Sequence, residues 1–480
     1  MICVEIEAGF LGILAPFFMK KIRGERMKET NTSKFNVNLA VLATGIMAFS
    51  GVLIETAMNV TFPTLIKQFG IGTADVQWVT TIYLLMIAII VPLSSFLIKN
   101  YCVRDLFFCS ILLFISGVAL NSLPINFAVL LAGRLLQGVA TGIALPLMFN
   151  IILTKVPLSK RGLMIGIGTL TTSIAPALGP TYGGILTSTI GWHYIYVILL
   201  PILVITMVVG LYAMPKEVIK KSGQLNWGAA GALAVLFSAI LLSFSFFGQG
   251  IFWLFLFIVL LSAALFFKLN QKNILINLKV FKNRAFSGFL FGFVVFQSML
   301  LGISFIIPNF MQLAMDIPSS KAGLMMFPGA LIGAIFAPIS GRILDSIGAK
   351  KPIVFGIVIA LVGWGILSVV VPTGVVSLTI LGHVIFMIGV GFSYSNLMSI
   401  GLSSITSAEQ ADGNAIFTTL QQLFGAISTA FVALVMALFQ ESASSFVEGT
   451  IVGAKVDLYI FFIILLVGLG IVFRGFKKEK

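Results

Sequence analysis

Carboxylates are scarce in this chain, and histidine and cysteine are scarcer still. Of 480 residues, 16 are Asp or Glu, two are His and three are Cys, and charged residues together make up 10%. A soluble protein carries about 25% charged residues, so composition excludes a soluble multidomain protein. His193 and His383 lie far apart, and no His, Cys or acid spacing fits a metal ion. That argues against a metal-dependent or histidine-based membrane enzyme. No phosphate-cradling glycine loop occurs, so ATP is not the expected energy source. Cys3, Cys102 and Cys109 fall toward the cytoplasmic side assigned below, where no disulfide is expected. Enzyme activity, metals and cofactors are all expected to be absent.

What the chain has instead is apolar length. Hydrophobic residues make up 59% of it, in runs long enough to cross a hydrocarbon core of about 30 Å as helices. The runs place spans near 37–66, 74–98, 105–123, 126–152, 162–188, 193–214 and 227–247, then near 250–269, 285–314, 321–344, 352–371, 374–402, 411–439 and 456–474. The expected fold is an all-α polytopic membrane protein with about 14 transmembrane helices.

The net charge of +14 is distributed unevenly. With the N-terminus cytoplasmic, 26 of the 30 Lys and Arg fall in cytoplasmic segments and at the span ends facing them. Only Lys67, Lys321 and Lys455 fall on outer loops, and Arg134 lies inside a span. This asymmetry is the positive-inside pattern, with both termini cytoplasmic. The basic charge therefore sets topology; lipid is an expected partner and nucleic acid is not. Trp78, Trp192 and Trp253 near outer span ends and Trp227 near an inner one fit an aromatic belt. Trp364 does not fit it and is read as a packing residue. At the N-terminus, Ala8 to Met19 is apolar but short, and Lys20, Lys21, Arg23 and Arg26 follow it. It reads as an interfacial helix or as a stretch upstream of a working start at Met27, the latter being favoured.

The chain looks duplicated. Phe62-Pro63-Thr64 is answered by Ile307-Pro308-Asn309, 245 residues later. Gly133-Arg134 recurs as Gly382-His383 and Gly142 as Gly391, each 249 residues on, and Ser95 to Lys99 answers Gly341 to Asp345 at an offset of 246. Offsets this uniform predict two six-helix bundles in parallel repeat, with two helices inserted between them. The expected divisions are a cytoplasmic N-terminal segment (1–34), a first bundle (35–214), an insert with flanking cytoplasmic loops (215–284), a second bundle (285–474) and a cytoplasmic tail (475–480). In such folds the substrate site lies between the bundles near the midplane, and rocking about it gives alternating access.

Four segments carry a family resemblance. The fourth span reads Gly133-Arg134-Leu135-Leu136-Gln137-Gly138, and the fifth Gly179-Pro180-Thr181-Tyr182-Gly183-Gly184. After the tenth comes Gly341-Arg342-Ile343-Leu344-Asp345-Ser346-Ile347-Gly348-Ala349-Lys350-Lys351, and the first contains Glu55-Thr56-Ala57-Met58-Asn59. These resemble motifs of the major facilitator superfamily, in its fourteen-helix drug/proton antiporter branch (EmrB/QacA type). The resemblance covers essentially residues 35–474. It implies a proton-driven efflux transporter of small lipophilic compounds in the cytoplasmic membrane; a monomer is expected, though the sequence does not fix the oligomeric state. By resemblance, Arg134 faces the interior near the proton-carrying helix, and the fifth-span motif is one associated with export by antiport.

The residues carry a chemical reading of their own. Glu55 is the one acid expected deep inside a span, and an ionisable side chain at bilayer depth costs a few kcal/mol, so its retention points to function. Burial favours the neutral acid and a nearby guanidinium favours the carboxylate. Arg134, in turn, needs a carboxylate or carbonyl partner. The pair is the expected proton-coupling site, set against the plainer reading of Glu55 as a permanently neutral packing acid. The same carboxylate would attract a cationic drug. Thr56, Asn59, Gln137, Gln421, Gln422 and His383 are candidate substrate contacts; His383 is read as a packing histidine or a second titrating group. Gly179, Pro180, Gly183 and Gly184 allow close helix approach and a bend, which predicts a seam between bundles. Gly341, Arg342, Asp345, Gly348, Lys350 and Lys351 form the expected gating loop. Its first-half counterpart has Lys99 and Cys102 where the family has an acid and a glycine, and Asp105 is the expected substitute charge. Two other functions stay open: a proton-coupled transporter of one specific solute, and a non-transporting membrane sensor.

Overall fold

The computed structural model describes residues 35–123, 125–215, 224–272, 274–406 and 409–478. The expectations for residues 1–34, and for the basic charges at 216, 220 and 221, lie outside the described residues. From Asn36 onward the chain packs as one unit.

Fourteen long helices make up that unit, and no strand occurs among the described residues. They are α1 (Val37–Phe69), α2 (Thr73–Asn100), α3 (Val103–Asn121), α4 (Phe127–Lys155), α5 (Leu158–Thr189), α6 (Tyr194–Ala213) and α7 (Trp227–Ser245). Then come α8 (Ile251–Lys272), α9 (Arg284–Leu313), α10 (Ser319–Ile347), α11 (Lys350–Val370), α12 (Val376–Ser403), α13 (Gln410–Ser442) and α14 (Phe446–Lys478). Thirteen of them are long and apolar enough to cross a membrane. Their starts are set by local chemistry. Asn36, Asn126, Asn226 and Asn283 each accept a first-turn backbone N–H at the head of α1, α4, α7 and α9. An N-cap of this kind stabilises a helix by about 1 kcal/mol. Gly70 ends α1 in the left-handed region (φ 63°), where a side chain would be strained.

Helix pairings recur at the repeat distance. α1 packs on α4, α5 and α6, as α9 packs on α12, α13 and α14. The pairs α2–α4 and α3–α4 return as α10–α12 and α11–α12. The two sets of six meet through α5–α10, α2–α13 and α1–α9. α7 leans on α2 and α13, with Trp78 Nε1 donating to Ser245 Oγ over 2.9 Å, whereas α8 rests mainly on α7. Little of α8 is covered (11% of its apolar window), as a peripheral, lipid-facing helix requires. Trp364 is fully buried and packs between Phe386 and Phe461, and its Nε1 donates to the Leu458 carbonyl.

Two expectations need correction. The segment read as a gating loop is mostly helix: α10 runs on to Ile347, and Gly348 ends it with φ 83°. Charged residues continue a helix past the membrane until a residue with positive φ breaks it. Glu55 is also not the only embedded acid. α14 starts at Phe446, ten residues before the expected start at 456, so Asp457 lies about 16 Å along it and is fully buried. Lys455, which suggested a loop, sits exposed on another face of the same helix.

Candidate functional site

Arg134 anchors the centre of the first six helices. It is fully buried on α4, where snorkelling is out of reach. Its Nε donates to the Val79 carbonyl of α2 over 2.8 Å and its Nη1 to Gln137 Oε1 over 2.9 Å. The guanidinium carbon lies 4.2 Å from the centre of the Tyr83 ring, a cation–π contact. Nη2 has no hydrogen-bond partner among the described residues. Glycines bring the helices this close: a Cβ at Gly51 would sit 2.8 Å from both Tyr83 Oη and Thr141 Oγ1, and one at Gly138 would meet α2 backbone at Tyr83.

Glu55 stands on α1, one turn beyond Gly51, within electrostatic reach of Arg134. No ion pair within 4.0 Å joins the two among the described residues. Glu55 keeps 8% exposure where Arg134 keeps none. Both are thus buried, and the cation is the member held in place by hydrogen bonds. One turn on, Asn59 accepts from Thr80 Oγ1 over 2.8 Å, and its Nδ2 has no hydrogen-bond partner among the described residues. Gln137 is spent on Arg134 through its oxygen, leaving Nε2 unpaired. Thr56 is not on this wall. Its hydroxyl bonds back to the Val52 carbonyl, and its side chain lies against Gly179 of α5.

Across from α1, the second six helices present a polar chain. Gln421 Nε2 of α13 and Tyr394 Oη of α12 lie 2.7 Å apart, and Tyr394 Oη donates to Gln297 Oε1 of α9. Phe293 stacks on the Tyr394 ring (centroids 4.4 Å, interplanar angle 7°), and the field of Glu55 reaches Tyr394. Sequence reasoning singled out Gln421 and missed Tyr394 and Gln297. Both were visible as polar residues in apolar runs, but nothing in the sequence aims them at one another. Gln422 is nearly buried beside Gln421. His383 is buried on α12 with Nδ1 unpaired and its ring seated against Gly329 of α10, where a Cβ would clash. Nothing ties it to Glu55.

The α5 motif splits over two faces at helical spacing. A Cβ at Gly179 or Gly183 would strike Thr56 or Ala57 of α1; one at Gly184 would strike the Ser319 carbonyl of α10. From α10, a Cβ at Gly323 would strike the Pro180 carbonyl. Ser319 Oγ donates to the Gly184 carbonyl (3.2 Å) and Thr181 Oγ1 to that of Gly323 (3.3 Å). At the same end Gln312 Nε2 donates to the Val60 carbonyl (2.9 Å) and Thr73 Oγ1 to Gln440 Oε1 (2.7 Å). The two sets of six helices are therefore closed against each other at the end where α1 passes into α2.

A profile of the Major Facilitator Superfamily matches residues 44–429. The chain belongs to that superfamily. It is 32% identical over 421 residues to the lincomycin resistance protein LmrB of Listeria monocytogenes, covering 86% of this chain and 89% of the relative. It is 28% identical over 401 residues to the riboflavin transporter RibZ of Clostridioides difficile, covering 82% and 86%. Among solved structures, a bacterial homologue of the human lysosomal transporter Spinster in an inward-facing, unoccupied conformation matches with a TM-score of 0.64 at 14% identity, covering 93% of this chain and 99% of that one. The fold is thus that of a multi-pass transporter family, not of an enzyme class.

In this superfamily member the α10–α11 junction carries no ion pair of Asp345 with a described residue. Arg342, Asp345 and Lys351 are exposed, and Lys350 Nζ lies 5.6 Å from the Phe473 ring. Asp105 is exposed in the first turn of α3, where a carboxylate meets the positive end of the helix dipole. Asp105→Asn is expected to lower transport at unchanged protein level, while Lys99→Asp combined with Cys102→Gly leaves it unaltered. Substrate flux in membrane vesicles checks both, and the reverse pattern would discard the substitution of Asp105 for the missing loop acid.

Proposed function

We propose that this chain exports small lipophilic, cationic compounds across the cytoplasmic membrane in exchange for protons, by alternating access, with both termini cytoplasmic. The observation that carries the reading is the Glu55–Arg134 arrangement: a buried carboxyl biased by a buried, immobile cation and joined to it by no direct ion pair among the described residues. An acid so placed can trade a proton for a cationic substrate, because either neutralises it. The unpaired Asn59 amide and the Tyr394–Gln297–Gln421 chain supply hydrogen-bonding groups for the rest of the substrate. Phe293 stacked on Tyr394 adds an apolar face. Under this orientation the end sealed by α5 and α10 is the outer one. Likeness to lincomycin resistance proteins favours drug export. Likeness to a riboflavin transporter keeps a second reading, transport of one specific solute, in play.

Everted vesicles separate the two. With an imposed proton gradient, cationic lipophilic compounds and lincomycin are expected to accumulate inside, and neutral or anionic ones less. Accumulation of a single solute unaffected by the others would favour the second reading. Flux in the opposite direction would overturn export.

A further inference from the structure

Asp457 takes no part in the site above, yet it is the most completely enclosed acid among the described residues. It is fully buried on α14, and neither carboxyl oxygen has a hydrogen-bond partner among them. Its surroundings follow from its neighbours on the same face. One turn before it, Gly453 lies on Met436 of α13. One turn after it, Phe461 packs on Trp364 of α11, Phe431 of α13 and Gly302 of α9. Asp457 therefore faces the interior of α9, α11, α13 and α14, away from lipid.

Among the described side chains, no charge on these helices compensates it. Arg284 of α9 and Lys350 and Lys351 of α11 stand at the far end of α14, where Gly288 meets Gly475 and Lys350 meets Phe473. Asp412 lies at the far end of α13, and Glu441, Glu448, Lys455, Tyr459 and Arg474 are exposed. A lone carboxylate in such a place costs several kcal/mol, so the position calls for a bound cation. The smallest one fits best, because no group of acids, histidines or cysteines gathers there among the described residues to hold a metal ion.

A polar route leads toward it from the sealed end. Thr73 at the head of α2 donates to Gln440 Oε1, and Gln440 Nε2 donates to Thr450 Oγ1 (2.9 Å). Thr450 is buried on α14, two turns and about 10 Å before Asp457 on the same face. Gly449 and Gly453 hold α13 close along that stretch.

We propose that Asp457 is a second proton-binding site of this transporter, loaded from the Thr73 end by way of Gln440 and Thr450. Its use in transport rests on the antiport reading above; its proton binding does not. With Glu55 it brings the embedded acids among the described residues to two, so two protons per substrate are expected where Glu55 alone would give one.

Infrared difference spectra of the purified native protein across a pH step test the binding directly. A protonated-carboxyl band that is lost in Asp457→Asn, kept in Glu55→Gln and slower to exchange with deuterium in Thr450→Val is expected. Asp457→Glu should retain the band at a shifted frequency, which guards against a misfolded variant. A spectrum unchanged by Asp457→Asn, or a band displaced by sodium rather than by pH, would overturn the proposal. In proteoliposomes the proton-to-substrate ratio of Asp457→Asn is expected to be half the native one; an unchanged ratio would remove Asp457 from coupling. Should the native protein move no proton with any compound, the antiport reading fails, and the spectra still decide whether Asp457 binds a proton.

Discussion

Glu55→Gln abolishes substrate-dependent proton release from everted vesicles; this is the largest functional effect expected of any single change. Gln keeps the volume and hydrogen-bonding reach of Glu but neither ionises nor neutralises a cation. The scaffold should survive, because Arg134 is held by the Val79 carbonyl and Gln137 and by the Tyr83 ring, not by an ion pair with Glu55. At an effective dielectric near 20, a contact between unit charges is worth about 4 kcal/mol. Screening and desolvation leave a smaller net, so affinity for cationic compounds should fall by about 10²-fold while neutral ones bind nearly as before. Dye-monitored gradient collapse on adding cationic, neutral and anionic compounds reads the first effect, and equilibrium binding to purified protein reads the second. A proton response that survives the change would leave coupling to Asp457 without Glu55, or move it to His383.

Gly323→Val is expected to stop transport by a different route. Any Cβ at this position would collide with the Pro180 carbonyl, a backbone atom that has no rotamer to escape into. On the alternating-access reading, the α5–α10 contact parts when this end of the molecule opens. Overpacking of this sort costs about 1–3 kcal/mol, which shifts the balance between the two conformations by roughly tenfold to a hundredfold against the closed one. Flux through a cycle that must visit both should fall accordingly, with the protein still inserted. Thr73→Cys with Gln440→Cys, in a background where Cys3, Cys102 and Cys109 are replaced by Ser, reports the closed end directly, since the two native side chains are hydrogen-bonded. Cross-linking should be efficient while Gly323 is kept and much reduced once Gly323→Val is added. Equal cross-linking in both would show that the seam is not part of the moving interface.

Much of this site was legible before any coordinates. Arg134 stood out as the one basic residue inside a span, and it is buried as that placement requires. Gly179, Pro180, Gly183 and Gly184 stood out as small or kinking residues at helical spacing, and they make the contacts that α1 and α10 need. Other readings failed for identifiable reasons. Thr56 follows Glu55 directly, yet lies in the α1–α5 packing, because a step of one residue turns a helix by about 100°. A span drawn near 456–474, with Lys455 on the outer loop before it, leaves Asp457 at the span's edge. The positive-inside count treats nearby charges as one boundary, but two residues apart on a helix is nearly opposite sides.

The sequence by itself determined the spans, their polarity of charge, the repeat and the identity of the residues whose burial is costly. It could do so because lipid imposes a rule on each segment separately: about 20 apolar residues per crossing, with cations kept to one side. Only the tertiary structure decided which side of each helix faces protein. In a soluble helix an apolar stripe marks the buried face. Here the lipid face and the packed face are both apolar, so the pattern does not distinguish them. The joining of Tyr394 to Gln297 and Gln421, the sealing of α5 against α10, and the enclosure of Asp457 among four helices all depend on that choice. They became visible only once the helices were packed.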